Sequence, residues 1–444
     1  MYIMYRQIDE EIILKNLDRL EEDAKMNYIS KYEPTLEEIN SIYNHIKNFI
    51  KEKKRIIYGG YAQNALISKQ DNDKGFYKPT DLADIEFYTP DPIGDTVDLC
   101  DMLNKKGYKY IEGKEGVHNE TYKIFVNFHP YCDISYMPEN IYNNCPTMDA
   151  EELNMIHPHF ALIDAYRVYN DSMTSYYRLK KTFIRFNSLM KYYPFNDNMI
   201  YNKFEYDRFK DDSKIQRYIK KHIIHHSKLI IVGHYAFNQL VKMASAPPTY
   251  IILCPFIQVI SDNFEEDLKK IAVKLKTNFK NIHYKRYSPF YQFLGKSVEF
   301  YVNNNLIFRM YDNNSRCTVY RYSEKKHTYF GTYMLQFLYN LIQYNMAIIR
   351  KNNHNMMVSG SMITRMMKMR DKYLETHNLT VMDKGIFQEF TFDCIGKPVD
   401  MLRESYLETI KKREQGKHKF IYKPKGQPGR KPVFNFLDTS GNAL

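Results

Sequence analysis

The sequence predicts a mixed α/β protein that contains two copies of one folding unit. Three observations lead to this prediction. Amphipathic helical segments alternate with short apolar strands in the first half of the chain. A Gly-Gly pair joins one of these strands to a helix in a compact strand–turn–helix unit. A similar strand–Gly–helix segment recurs 174 residues later.

Two amphipathic helices are expected before the first strand. Residues 8–30 and 35–54 carry apolar residues at helical spacing. Thr35 is a suitable N-cap for the second helix, because Glu38 follows three residues later as in a capping box.

Strands and helices then alternate as in an α/β domain. A strand at 56–58 leads through Gly59-Gly60 into a helix at 61–68. The remaining predicted elements are a strand at 83–88, a helix at 93–106, a hairpin of strands 122–127 and 131–136 that turns at His129-Pro130, and helices within 157–193.

Two internal matches indicate that the second half repeats the first. Residues 58–66 (YGGYAQNAL) and 232–240 (VGHYAFNQL) are identical at five of nine positions, and both follow an isoleucine pair. A second match relates His157-x-x-Phe160 with Tyr169-Asn170 to His327-x-x-Phe330 with Tyr339-Asn340. We therefore predict that residues ~200–400 are a diverged duplicate of ~45–195.

The composition argues against a disordered or membrane-spanning chain. With 444 residues, 44% of them hydrophobic and only 17 Gly and 17 Pro, the chain can bury more than one core. Its longest apolar stretch, residues 250–260, is shorter than the roughly 20 residues that a bilayer requires. The N-terminus lacks the features of a signal peptide.

Six scattered cysteines without a CxxC pair predict neither a zinc site nor a disulfide framework, and favour a reducing compartment.

The net charge is unevenly divided along the chain. Residues 1–194 hold 24 Lys and Arg against 30 Asp and Glu, whereas residues 195–444 hold 40 against 22, and the two balances make the net charge of +12. A basic half of this kind suits a polyanionic partner, although a generally lysine-rich surface is the alternative explanation.

Three carboxylates form the candidate catalytic set. Asp84 and Glu86 alternate with Ile85 on a predicted strand and so share its polar face. Asp133 lies on a strand that could pair beside them. Carboxylates from adjacent strands could hold two Mg²⁺ or Mn²⁺ ions, of which one activates a hydroxyl and the other neutralises a leaving pyrophosphate. The alternative is an ordinary exposed strand face with acidic residues.

Two basic or glycine-rich segments could hold the phosphates of a nucleotide. The turn at Gly59-Gly60 lets backbone N–H groups approach phosphate oxygens at a helix N-terminus. In the predicted helix that follows the strands, Arg178, Lys181 and Arg185 share one face, next to an apolar stripe of Leu179, Phe183, Phe186 and Met190. A solvated basic face is the alternative for each of these cations.

The order of these motifs resembles that of the DNA polymerase beta-like nucleotidyltransferase superfamily: Gly59-Gly60 comes first, Asp84-x-Glu86 follows, and Asp133 comes last. The order of motifs, with Arg178-x-x-Lys181-x-Phe183-x-Arg185, is most similar to poly(A) polymerase catalytic subunits of large and giant DNA viruses. The resemblance is specific over about residues 45–195. It departs from the usual pattern at Glu86, where Asp is commoner, and at Tyr61, where some relatives have Ser.

The resemblance implies a nucleotidyltransferase fold and a metal-dependent, template-independent transfer of AMP from ATP to mRNA 3′ ends. It assigns catalysis and metal binding to Asp84, Glu86 and Asp133. It assigns ATP contacts to the residues of the turn and of the basic helix: Gly59, Gly60, Tyr61, Arg178 and Lys181. It also implies a viral protein of the host cytoplasm, located in the viral factory or in the virion. RNA is the expected partner, and no membrane association is expected. A homodimer is possible under this resemblance.

The second copy is expected to be catalytically degenerate. At an offset of 174, Asp84, Glu86 and Asp133 fall on Gln258, Ile260 and Ile307. A slip of two residues still places no carboxylate there, since neither 255–260 nor 303–310 contains one. The second copy is therefore predicted to be a scaffold that holds RNA.

The C-terminal tail is a further candidate for RNA binding, because its lysines and arginines are interleaved with aromatic residues. The candidates are Lys411, Lys412, Arg413, Lys423, Arg430 and Lys431. A solubilising tail is the alternative.

The predicted organisation is a helical segment at 1–44, a catalytic domain at 45–195, a degenerate copy at 196–405 and the basic tail at 406–444.

Other functions remain open from the sequence alone. No residue of the sequence can be assigned to recognition of the adenine base. A CCA-adding, oligouridylating or oligoadenylate-synthesising enzyme therefore fits the same motifs. A non-catalytic RNA-binding protein on a degenerate nucleotidyltransferase fold is an alternative of another class. The retained carboxylates of the first copy argue against it.

Overall fold

A computed structural model of the chain describes residues 4–31, 35–77, 81, 83–116, 118, 120–195, 214–314, 316–397, 401–416 and 419–427. Arg430 and Lys431, two of the tail residues predicted to bind RNA, lie outside the described residues, as does the side chain of Arg413.

The two N-terminal helices are present. They are α1 (Gln7–Lys31) and α2 (Leu36–Glu52). Thr35 is the N-cap of α2, and its side chain accepts a hydrogen bond from the backbone N–H of Glu38. The apolar face of α2 is buried in the core of the first sheet, where Phe49 lies 6.4 Å from Phe87 between ring centroids.

The first copy forms a mixed sheet with helices packed on it. In chain order its elements are β1 (Ile56–Tyr58), α3 (Gly59–Gln70), β2 (Ile85–Thr89), α4 (Pro92–Lys105), β3 (Glu112–Glu115), β4 (Thr121–Val126), β5 (His129–Tyr136), α5 (Glu139–Tyr142), β6 (Thr147–Ala150), β7 (Leu153–Ile156), α6 (Pro158–Asn170), α7 (Ser172–Ser175) and α8 (Leu179–Tyr192). The strands lie in the order β3-β4-β5-β2-β1-β7-β6.

The predicted hairpin is present, but its turn is not where the sequence analysis placed it. Strands β4 and β5 are joined by Asn127 and Phe128, which both have positive φ, and His129-Pro130 begins β5. A two-residue turn with positive φ matches the twist of the paired strands, and Asn is one of the residues that adopts it readily.

The second copy has the elements α9 (Lys214–Ile219), β8 (Ile230–Val232), α10 (Gly233–Met243), β9 (Ile257–Ser261), α11 (Phe264–Asn278), β10 (Ile282–Tyr287), β11 (Ser297–Val302), β12 (Asn305–Asp312), β13 (Thr318–Ser323), β14 (Thr328–Gly331), α12 (Tyr333–Ile349) and α13 (Asn353–His377). Its strand order, β10-β11-β12-β9-β8-β14-β13, reproduces that of the first copy strand for strand. The predicted duplication is confirmed.

The second sequence match used to predict the duplication is wrong in its alignment. Strand β7 pairs parallel with β1, and β14 pairs parallel with β8, so the two are equivalent. When the two copies are aligned by these strand registers, His157 corresponds to Thr332 and not to His327. His157 and Thr332 both cap the helix that follows, because each begins the crossing from strand to helix.

C-terminal segments extend both sheets. After α13 the chain forms β15 (Cys394–Ile395), which pairs with β13, then α14 (Met401–Glu414) and β16 (Ile421–Tyr422), which pairs with β3 at the edge of the first sheet. Cys317, just before β13, is disulfide-bonded to Cys394. The expectation of no disulfide is therefore wrong for this pair, whose 77-residue separation gives no local signal in the sequence.

The two copies pack against each other through helices α6 and α12. Tyr166 stacks on Phe337 with 4.4 Å between ring centroids, and Asn345 Nδ2 donates a hydrogen bond to the carbonyl of His159 at 3.2 Å. One continuous hydrophobic core includes residues of both sheets. Within the described residues, helices long and apolar enough to cross a bilayer are absent.

Candidate active site

The turn between β1 and α3 places backbone against a carboxylate. Gly59 has φ +72°, and a Cβ at this position would overlap the carboxyl group of Glu86. The backbone N–H of Gly60 donates a hydrogen bond to Glu86 Oε2 at 3.2 Å. Gly59 is therefore required by the close approach of the turn to β2, whereas a Cβ on Gly60 would meet the side chains of Tyr77 and Arg185.

The three predicted carboxylates come together where the start of β2 pairs with the middle of β5, parallel to it. Glu86 on β2 lies directly beside Asp133 on β5 in the strand register. Asp84 immediately precedes β2, one residue outside the strand that the sequence predicted to contain it. Burial, followed by the charge of Asp133, raises the pKa of Glu86 to about 7 and raises the pKa of Asp84. The carboxylates therefore repel one another in the absence of a bound cation.

The sequence analysis missed a lysine at the centre of this cluster. Lys123 lies on β4 opposite Asp133, and its Nζ is 2.7 Å from both carboxylate oxygens of Asp133. Its charge also acts on Asp84 and Glu86. The turn alone would not have revealed it, because a two-residue turn at Asn127-Phe128 pairs Lys123 with Cys132, and a register shift between Ile124 and Phe125 moves its partner to Asp133.

The donor set fits divalent cations, although its present arrangement is closed by Lys123. Among the residues described, three or more His, Cys, Asp or Glu side chains are nowhere arranged to hold a metal ion. The oxygen donors of Asp84, Glu86 and Asp133 are nevertheless the kind that Mg²⁺ and Mn²⁺ prefer. Their mutual repulsion and the contact with the Lys123 ammonium show that this position attracts positive charge.

Helix α8 presents its basic residues to the same carboxylates. The pKa of Lys181 is lowered by partial burial and by the neighbouring charges of Arg185 and Arg178, while Glu86 and Asp84 act in the opposite direction. Arg178 donates a hydrogen bond to His118 Nε2 at 3.4 Å. Three cations thus lie close enough to repel one another beside the carboxylates, as a polyphosphate site requires.

The apolar stripe predicted for α8 is only partly correct. Phe183 is 52% exposed, whereas Phe186 and Leu189 are buried. Packing against α3 and α6 favours the face that contains residues 186 and 189, and the turn of the helix then directs residue 183 outward.

Arg185, the third cation of the basic helix, lies at the glycine turn. Its guanidinium packs over the ring of Phe76 at 4.2 Å and over the ring of Tyr77 at 5.1 Å. A Cβ on Gly60 would lie 2.7 Å from Arg185 Nη1. Tyr61, by contrast, donates its hydroxyl hydrogen bond to Glu151, so its side chain is directed away from the carboxylates.

A cleft of about 760 Å³ lies between the two copies and contains this site. The first copy contributes Gly59, Glu86, Asp133 and Arg178 to its walls, and the second contributes Tyr291, Asn313, Arg316 and Tyr339. Clefts of this size accommodate a nucleotide-sized ligand.

Comparisons with known proteins agree with this geometry. The sequence model of the poly(A) polymerase catalytic subunit matches residues 44–175, and that of the "APMV, Putative poly(A) polymerase, catalytic subunit, C-terminal" family matches residues 187–444, which is more than half of the chain. The chain belongs to the poly(A) polymerase catalytic subunit family. The expectation of a poly(A) polymerase is confirmed.

Individual relatives of this family are viral. The putative poly(A) polymerase catalytic subunit of Acanthamoeba polyphaga mimivirus is 31% identical over 95% of this chain and 78% of its own length. That of African swine fever virus (strain Badajoz 1971 Vero-adapted) is 29% identical over 37% of this chain and 35% of its own length. The crystal structure of the Megavirus polyadenylate synthase superposes with a TM-score of 0.87 at 30% identity, covering all of this chain and 93% of that one. The predicted fold and viral origin are confirmed.

In this poly(A) polymerase the second copy has lost the carboxylates but kept the backbone. Gly233 has φ +68°, and a Cβ there would meet the side-chain amide of Gln258, as a Cβ on Gly59 would meet Glu86. The strand registers make Gln258 the equivalent of Glu86, and Arg309 the equivalent of Asp133. The alignment at an offset of 174 is thus wrong by two residues at both positions, within the slip that the sequence analysis allowed.

The ion pair of the first copy is inverted in the second. Lys123 and Asp133 are replaced by Glu299 and Arg309, which form an ion pair on the equivalent strands. The Arg309 guanidinium lies 4.9 Å from the ring centroid of Phe256, the equivalent of Asp84. A cation held by an acid and an aromatic ring therefore occupies the place that the carboxylate cluster has in the first copy.

The tail lysines predicted to bind RNA contact carboxylates of the enzyme itself. Lys412 pairs with Glu408 at 3.0 Å and Glu115 at 3.8 Å, and Lys423 pairs with Glu112 at 3.3 Å. Lys411 is exposed on α14. A phosphate would have to compete with these carboxylates, so an RNA-binding role of the tail stays a prediction.

Proposed function

We propose that this enzyme transfers AMP from ATP to the 3′ end of RNA without a template, with Asp84, Glu86 and Asp133 as its catalytic carboxylates. The observation that carries the proposal is the register of β2 and β5, which sets Glu86 beside Asp133 at the glycine turn. The equivalent positions of the second copy hold Gln258 and Arg309, which cannot perform this chemistry.

Asp84, Glu86 and Asp133 would hold Mg²⁺ or Mn²⁺. When bound, two such ions supply activation of the RNA 3′-hydroxyl and neutralisation of charge on the leaving pyrophosphate. The chain contributes the rest: β2 and β5 orient the carboxylates, and the N–H of Gly60 holds Glu86 in place. Lys181, Arg178 and Arg185 would lie along the triphosphate and stabilise its negative charge.

Incubation of the protein with labelled RNA, Mg²⁺ or Mn²⁺ and each nucleoside triphosphate in turn tests the proposal. Extension with ATP alone supports it. Addition of CCA or of uridylates would assign another product, and extension of ATP itself without an RNA primer would indicate oligoadenylate synthesis. RNA binding without any extension would favour the non-catalytic alternative.

Lys181→Ala is expected to weaken ATP use by about 30- to 1,000-fold in kcat/KM, which corresponds to roughly 2–4 kcal/mol of lost charge stabilisation. Steady-state extension of a labelled primer at varied ATP measures the effect. Lys180→Ala is the matched control, because Lys180 is an exposed neighbour on the same helix. Equal kinetics of the two variants would place Lys181 on a solvated face without contact to ATP.

Lys123→Met is expected to lower the stability of the metal-free protein, because it leaves the carboxylate cluster without its ammonium group. A loss on the order of 1–3 kcal/mol is expected for one charged hydrogen-bonded partner. Addition of Mn²⁺ should then raise the melting temperature of Lys123→Met more than that of the unmodified chain, because the cation no longer competes with Lys123. Differential scanning calorimetry with and without Mn²⁺ measures both effects.

Lys114→Met is the control for this experiment, since Lys114 lies opposite Lys123 on β3 and pairs with Glu112 outside the cluster. If Lys123→Met and Lys114→Met respond alike to Mn²⁺, Lys123 does not occupy the cation position.

A further inference from the structure

A group of four cations lies at the far end of β13 in the second copy. It consists of Lys242 at the end of α10, Arg321 on β13, and Lys325 and Lys326 in the turn after β13. In the described part of the chain none of these four has a carboxylate at ion-pair distance. Partial burial, followed by the charges of the neighbouring cations, lowers the pKa of Lys326. We call these four residues the basic surface.

Flat rings accompany the cations of the basic surface. Arg321 and Lys326 both lie over the ring of Phe330, at 5.4 and 5.9 Å from its centroid. Tyr322 is 41% exposed, and its hydroxyl lies 3.3 Å from Nδ1 of His327, whose ring stacks on His226 at 4.8 Å. Phe330 is only 2% exposed, so the accessible rings are those of Tyr322 and His327, and Tyr322, next to Arg321 on β13, points to the other face of the strand. Exposed cations bordered by accessible rings suit single-stranded nucleic acid, because the cations meet phosphates and the rings stack on bases.

Strand β13 connects this surface to the cleft. Thr318 and Val319, at the start of β13, line the cleft that contains the carboxylates. Ser323, at its other end, directly precedes the turn that carries Lys325 and Lys326. Five residue steps at about 3.3 Å each separate the two ends by roughly 16 Å. A strand of RNA that leaves the cleft along β13 therefore reaches the basic surface within a few nucleotides.

We propose that the basic surface binds the growing adenylate tail as single-stranded RNA after it leaves the cleft. This inference rests on the proposed function. It differs from the prediction for the C-terminal tail, whose lysines Lys412 and Lys423 are paired with carboxylates, whereas the cations of the basic surface have none within the described residues. The recognised ligand is a polyanion with stackable bases, read by charge and stacking and not by sequence.

The test combines Lys242→Gln, Lys325→Gln and Lys326→Gln in one protein, because all three residues lie at the surface and glutamine can still donate to Gln239, the hydrogen-bond partner of Lys326. Binding of labelled oligo(A) of about 4 and about 20 nucleotides is measured by fluorescence anisotropy at several salt concentrations, since single-strand sites span ~4–16 nucleotides. Lys269→Gln, Lys276→Gln and Lys280→Gln together form the control, with the same charge change on exposed lysines of the same copy.

We expect the triple variant to bind the longer oligonucleotide about tenfold more weakly or worse near 0.1 M salt, with a slope of log K against log salt that is flatter by about 2. Affinity for the short oligonucleotide and addition of a single adenylate to it should be unchanged. Equal affinity and slope for the longer oligonucleotide, in a preparation whose unmodified chain adds adenylates, would overturn the inference and leave the surface to an acidic protein partner. Absence of adenylate addition by the unmodified chain would instead contradict the proposed function.

Discussion

Glu86→Gln is expected to abolish adenylate addition, with a loss on the order of 10³-fold or more in kcat, about 4 kcal/mol. Glu86 lies between the glycine turn and Asp133, and the amide that replaces its carboxylate keeps the shape but loses the charge that would hold a divalent cation. Primer extension under single-turnover conditions measures the loss. Asp84→Ala and Asp133→Ala should behave in the same way.

RNA binding separates this effect from a general loss of structure. Affinity for oligo(A) should be nearly unchanged in Glu86→Gln, since removal of a negative charge cannot weaken contacts to phosphates. Gln258→Ala changes the equivalent residue of the second copy and should leave the chemical step intact in the folded protein. Substantial activity in Asp133→Ala would exclude Asp133 as the third ligand.

Asp133 requires a second variant, because Asp133→Ala leaves the ammonium of Lys123 without its carboxylate. The double variant Lys123→Met with Asp133→Asn removes both charges and so preserves the electrostatic balance of the strand pair. It should be folded and inactive. Activity in the double variant would contradict the assignment even if the single variant fails to fold.

Gly59→Ala is expected to be the second most damaging substitution, and Gly233→Ala provides its internal control. Both glycines have positive φ, and at both a Cβ would overlap the side chain of the following strand, Glu86 in one copy and Gln258 in the other. Each variant should therefore lose on the order of 1–3 kcal/mol of folding stability from backbone strain and from the overlap. Thermal or denaturant unfolding measures this loss.

The two glycine variants should differ in activity. In Gly59→Ala the new methyl group displaces the Glu86 carboxylate, so adenylate addition should fall by at least about 100-fold at a temperature where the protein is folded. In Gly233→Ala the displaced group is an amide without a catalytic role, and the rate per folded molecule should be nearly unchanged. Equal losses of activity would show that the second copy supports the chemistry directly or that Glu86 tolerates displacement.

Several features could be predicted from the sequence because they depend on local rules. Gly59-Gly60 after an isoleucine pair indicates a tight turn, since only glycine adopts such backbone conformations without strain. Asp84 and Glu86 share one face because side chains alternate along an extended chain. The loss of acidic residues from the second copy was visible without any alignment accurate to one residue, because the whole segment lacks them.

Strand registers and long-range contacts could not be predicted in this way. The hairpin turn was misplaced by two residues, and the register shift between Ile124 and Phe125, which sets Lys123 opposite Asp133, has no signal in the sequence. The alignment of the two copies was also wrong by two residues, and for that reason Arg309 was not recognised as the residue that replaces Asp133 in the second copy. A shift of one or two residues changes which side chains are neighbours across a sheet while leaving the periodicity of each strand unaltered.

The sequence by itself determined the fold class, the duplication, the catalytic carboxylates proposed here and the basic character of the second half. Only the tertiary structure decided which charges meet. It paired Lys412 and Lys423 with carboxylates of the first sheet, and it left Lys325 and Lys326 at the end of β13 without such partners among the described residues. The physical reason is that the energy of a charged side chain depends on its neighbours within a few ångströms, and those neighbours come from strands and helices that are distant in the sequence.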